Sequence, residues 1–120
     1  MGYLMHLTCK SMYDPDNIYN DNYWYGTKVY GYLSNDEIKN LRSYEYLKSI
    51  DKLDLDKDAL FFTGVCSETI ELTRDEFLNF ISEFGADLIQ LGFDDGHKFE
   101  DTRIQKILDS NENVILFWSE

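Results

Sequence analysis

The stretch from Thr73 to Leu91 constrains the fold of this chain more than any other. Thr73-Arg74-Asp75-Glu76 has the capping-box spacing, in which the threonine hydroxyl and the glutamate three residues on each satisfy a free amide at a helix start. Phe77, Phe80, Ile81, Phe84, Leu88 and Leu91 then recur at helical intervals, which places them on one face. Gly85 weakens that helix by about 1 kcal/mol relative to alanine. A helix with so much apolar surface on one side is stable only against a second layer that buries it.

Short alternating segments can supply that layer. Tyr3, Met5, Leu7 and Cys9 alternate with Leu4, His6 and Thr8, and predict a first strand with one or both faces covered. Asp14-Pro15-Asp16-Asn17 then favours a turn, and a polar, tyrosine-rich loop runs on to Tyr23. Residues 27–33 read as a second strand in which Gly31 suits a bulge or close packing. Residues 59–66 and 68–72 read as two strands of a hairpin, joined around Ser67 or by a bulge, and the dense apolar run 114–118 as a last strand.

Two further helices are expected. Ser34-Asn35-Asp36-Glu37 is a second capping box, followed by a narrow stripe of Ile38, Leu41, Tyr44 or Glu45, Leu47 or Lys48, and Ile50. Residues 51–58 read as a charged linker. Asp94-Asp95-Gly96 is a turn signal, and Ile104, Ile107 and Leu108 mark a short helix starting near Asp101. The expected architecture is α+β. It is a single mixed or antiparallel sheet of about four to five strands, with two to three helices packed against it, in one domain over residues 1–120.

Composition narrows the function. Hydrophobic residues make up 43% of the chain and aromatics 16%, which is too much apolar surface for a disordered tail. No apolar run approaches the roughly 18 residues a membrane span needs, and residues 1–10 lack the pattern of a secretory signal. Cys9 and Cys66 are the only cysteines, too few for a disulfide scaffold. The expectation is a cytoplasmic protein with reduced thiols. Acids outnumber bases 23 to 11, for a net charge of −12, which repels nucleic-acid backbones and anionic membranes. Segment 67–101 holds ten acids against Arg74 and Lys98, a balance of −8.

Motifs for chemistry are sparse. His6, Cys9, Cys66 and His97 have the number of a zinc set but not its close spacing, and His6 and Cys9 fall on opposite sides of a strand. A Cys66–His97 nucleophilic pair would depend wholly on the fold, and no glycine-rich oxyanion turn accompanies it. Asp54, Asp56 and Asp58 resemble the start of a calcium loop, but Ala59 and Val65 occupy its glycine and glutamate positions. No phosphate-cradling glycine motif is present. The sequence therefore predicts no catalytic residue, no metal ligand and no cofactor.

Two surfaces remain as candidates for binding a partner. One is acidic, with Glu68, Glu71, Glu83, Asp87, Asp94 and Asp95 as its residues. Asp75 and Glu76 offset the positive end of a helix, whereas Glu83 and Asp87 stand four apart beyond that first turn, repel each other and lack a local benefit. The other surface is the aromatic cluster of Tyr13, Tyr19, Tyr23, Trp24, Tyr25, Tyr30 and Tyr32. Tyrosine and tryptophan combine large contact area with a polar handle.

In size and charge alone the chain is similar to the small acidic inhibitors of phages and mobile elements. These include anti-CRISPR, anti-restriction and glycosylase-inhibitor proteins, and the immunity proteins that neutralise nuclease toxins. That resemblance implies a non-enzymatic inhibitor whose acidic face occupies the basic groove of a nucleic-acid-binding partner, as a nucleic-acid mimic does. The alternatives are an assembly or adaptor module using the tyrosine-rich face, and a small enzyme built on Cys66 and His97.

Overall fold

The computed structural model describes residues 4–17, 23–25, 33–57, 68–92 and 102–119, and of 23–25 and 102–103 it describes the backbone. Its first and last described strands, β1 (Leu4–Cys9) and β4 (Val114–Ser119), pair antiparallel along their whole length, from Leu4 opposite Ser119 to Cys9 opposite Val114. A strand of three residues, β2 (Tyr23–Tyr25), pairs with β1, and a second, β3 (Ile70–Leu72), pairs with β4. The sheet order is β2-β1-β4-β3, with every pairing antiparallel.

Register decides which residues share a face, because side chains alternate along a strand and directly paired residues point the same way. Met5, Leu7 and Cys9 pair with Trp118, Leu116 and Val114, and Ile70 and Leu72 extend the same face across β3. All eight are buried and belong to one core with the helices. The opposite face is buried as well: His6, Thr8, Ile115, Phe117 and Ser119 have little or no exposure. There the His6 ring stacks on Phe117 at 4.7 Å, Tyr13 meets Phe117 edge-on at 5.7 Å, and His6 Nε2 hydrogen-bonds Ser119 Oγ at 2.6 Å. Burial on both sides is why β4 reads as an unbroken apolar run and not as the half-polar alternation of a solvent-facing strand.

Among the described residues there are four α-helices: α1 (Asn35–Ile38), α2 (Arg42–Ser49), α3 (Arg74–Gln90) and α4 (Thr102–Asp109), together with a 3-10 turn at Lys10–Met12. That exceeds the two to three expected, because the helix predicted from Ser34 to Ile50 is broken in two. Both capping boxes form. Ser34 Oγ accepts from Glu37 N and Thr73 Oγ1 from Glu76 N, while each glutamate carboxylate accepts from the amide of its capping residue. On α3, Phe77, Phe80, Phe84 and Leu88 are buried, and the Phe80 and Phe84 rings stack at 5.6 Å. Leu91 departs from the expected stripe and is exposed, since the helix ends at Gln90 and Gly92 adopts the left-handed φ of 79°.

The charged linker hides two core residues. Past α2, Asp51 takes a φ of 60°, its amide bonds Lys48 O, and the Lys52 amide bonds Leu47 O, so a Schellman turn stops the helix. Leu53 and Leu55 then drop into the core, and the buried Tyr44 hydroxyl accepts from the Leu55 amide at 2.9 Å. The tyrosine-rich loop expected up to Tyr23 gives way to β2 at 23–25. The predicted strands over 27–33 and 59–66 lie outside the described residues, apart from Leu33, as do Asp94-Asp95-Gly96, Cys66 and His97. Within the described residues no helix is long and apolar enough to cross a membrane.

Candidate partner-binding surface

The acidic face expected along α3 is largely absorbed by the fold. Asp87 is only 1% exposed, and its two carboxylate oxygens accept from the backbone amides of Arg42 (2.8 Å) and Ser43 (2.9 Å) at the start of α2. Leu41 is the residue preceding α2 and has no side chain able to cap it. A carboxylate from another helix does so instead, supplying both the missing acceptors and a negative charge at the positive helix end. Glu83, one turn earlier on α3, accepts from Arg42 Nε at 2.7 Å. The repulsion between Glu83 and Asp87 is thus offset by the α2 terminus and by a guanidinium. The inference that these acids have no structural benefit, and that Asp87 is exposed, is corrected by this geometry.

The break between α1 and α2 has the same origin. Leu41 leaves the helical region with a ψ of 142°, and Asn40 Nδ2 closes the preceding turn on Asp36 O. The amides of Arg42 and Ser43 are thereby aimed at Asp87. Nothing within residues 34–50 signals the break, because the acceptor that stabilises it lies 45 positions from Arg42.

Other acids are also engaged. Glu71 accepts from Asn113 Nδ2 at 2.8 Å and from Lys10 Nζ at 3.2 Å, bonds that tie β3 to the end of β1 and the start of β4. Asp56 is paired with Lys39, and more distantly with Lys48 at 3.9 Å. Hydrogen bonds from Asn113 and then Lys10 hold the Glu71 carboxyl below its ordinary pKa, and the bond from Lys39 does the same for Asp56. A carboxyl whose folded pKa is depressed stabilises the fold above its unfolded pKa, and that contribution is lost as pH falls through the folded value. In an NMR titration Asp56 and Glu71 are expected to protonate at lower pH than unperturbed residues of their types. Lys39→Met is expected to return Asp56 toward the ordinary value and to leave Glu71 unmoved.

Of the remaining predicted contacts, Glu68 is exposed, Asp94 and Asp95 lie outside the described residues, and for Tyr23, Trp24 and Tyr25 the backbone places the three residues in β2. Tyr13 is committed to the sheet through Phe117. Within the described residues no three metal-ligating side chains cluster, and His6 and Cys9 sit on opposite faces of β1. No protein-family model, curated protein or solved structure matches the chain.

A feature absent from the sequence reading lies where α1 approaches the end of α3. A cleft of about 210 Å³ there is lined by the apolar Leu33, Leu41 and Leu91, by Glu37, Asn40 and Gln90, and by Asp87. Leu91 is 39% exposed. Helical spacing from Asp87 to Gln90 and Leu91 puts those three on one side at the end of α3, but only the approach of Leu33, Glu37, Asn40 and Leu41 makes that side a cleft. Exposed Asp36 neighbours Glu37 on α1.

Proposed function

We propose that this protein is a non-enzymatic acidic inhibitor that docks on a basic surface of a partner protein, where it takes the place of nucleic-acid phosphates. One observation carries the reading. With a net charge of −12, the chain keeps Asp36, Glu45, Glu68 and Asp75 exposed, and among the described residues none of these four takes part in an ion pair within 4.0 Å. Exposed carboxylates outside such pairs present negative charge to a basic groove, which favours fast, salt-sensitive association. Asp87 is excluded from that surface by its burial, and Glu71 and Glu83 contribute less than their number suggests because each is already paired.

The test is competition on a partner recovered by affinity capture from the native host. Duplex DNA or RNA is expected to displace the protein, and affinity is expected to fall tenfold or more between low and high salt. Glu68→Gln combined with Asp75→Asn should slow association while leaving the fold intact. A partner that nucleic acid does not displace, bound with an affinity flat in salt, would exclude the proposal.

A further inference from the structure

We infer that the α1–α3 cleft receives one apolar side chain from a lysine- or arginine-rich segment of the partner protein. The inference rests on the proposed function and locates part of its contact surface. Leu33, Leu41 and Leu91 give the cleft apolar lining, and burial of a leucine-sized side chain there gains hydrophobic free energy that a bare ion pair cannot supply.

Charge selects the occupant's neighbours. Among the described residues no basic residue lines the cleft, and the two cations nearest in sequence, Lys39 and Arg42, are held by Asp56 and Glu83. Glu37 is held in place before any partner arrives, because its Oε1 accepts from Ser34 N at 3.1 Å. Such preorganisation lowers the ordering cost of binding. Nucleic acid is repelled by these carboxylates, as is a second copy of a chain carrying −12. A cationic segment bearing an apolar residue matches both the lining and the charge.

The probe is a short amidated peptide with one leucine between two pairs of lysines, compared with the same peptide carrying serine in place of leucine. Each is titrated into the isotope-labelled full chain. The leucine peptide is expected to shift the amide signals of Leu33, Asn40, Leu41 and Leu91 and to bind about tenfold more tightly than the serine peptide. Leu91→Ser should abolish that preference. Glu37→Gln keeps an oxygen for the capping box and should weaken both peptides alike.

Equal binding of the two peptides, with shifts centred on Glu68 and Asp75, would overturn the cleft and leave the inhibitor reading standing. Failure of both peptides to bind would overturn it too, while nucleic-acid competition on the captured partner still decides the broader reading by itself. A free chain that sediments as a dimer, and that Leu91→Ser makes monomeric, would assign the cleft to a second copy and overturn the inference.

Discussion

Replacing Phe80 with alanine is expected to remove about 3–5 kcal/mol of folding free energy, the range for deleting a fully buried ring. The Phe80 side chain has no solvent exposure, stacks on Phe84 at 5.6 Å, and belongs to the core that α3 shares with the sheet. Its removal loses the transfer free energy of the ring and leaves a cavity that neighbours fixed by the sheet fill only in part. Because natural domains hold about 5–15 kcal/mol in total, this single change should consume a large share of the stability. Urea denaturation reads it as a lowered midpoint at unchanged slope. Leu78→Ala provides the comparison. Leu78 is two residues earlier on α3 and 39% exposed, so its loss should stay below about 1 kcal/mol. Equal losses at the two positions would mean that the buried face of α3 is wrongly placed.

The second large effect concerns Asp87, where alanine is expected to lower stability by about 2–3 kcal/mol. The substitution strips the amides of Arg42 and Ser43 of their carboxylate acceptor, and Ser43 is fully buried, so water is poorly placed to replace it. Asp87→Asn retains one acceptor oxygen but gives up the charge at the α2 terminus, and should fall near half that loss. Glu83→Gln breaks an ion pair whose arginine side is well exposed, and should cost under about 1 kcal/mol. Hydrogen exchange adds a local readout: the amides at the start of α2 should lose protection in Asp87→Ala more than those of β1 or β4 do. An Asp87→Ala variant no less stable than Glu83→Gln would show that the carboxylate does not hold α2 in place.

This second result also changes how a partner-binding experiment must be designed. On sequence, Glu83 and Asp87 look like dispensable surface acids whose mutual repulsion is tolerated for binding. In the fold both tie α3 to the start of α2, Glu83 through a guanidinium and Asp87 through backbone amides. Neutralising both would weaken binding through instability, whatever the partner contacts. Glu68, Asp75 and Glu37 are the informative positions, since Glu68 and Asp75 lie outside the buried network and Gln at position 37 preserves the cap.

Local signals were legible wherever the physics is local. The capping boxes at Ser34 and Thr73 need only four consecutive residues, and both form as their spacing requires. The phenylalanine stripe of α3 and the apolar run of β4 follow from periodicity within one element, and the α+β class with a small antiparallel sheet follows from their sum. Segment 51–57 was less legible. Its charges read as a solvated linker, yet Leu53 and Leu55 alternate with Asp54 and Asp56, and the buried hydroxyl of Tyr44 draws that short stretch into the core.

The amino-acid sequence by itself determined where α1 and α3 begin, which face of α3 is buried, that β4 is a strand, and that the molecule carries strong negative charge. Each of these depends on neighbours within a few residues or on a simple count. Only the tertiary structure decided that α2 starts anew at Arg42, that Asp87 is an internal cap, and that α1 and the end of α3 enclose an apolar cleft beside acids. The physical reason is separation along the chain. A buried carboxylate is stabilised by whichever donors the fold brings to it, and here those donors lie 45 and 44 residues away.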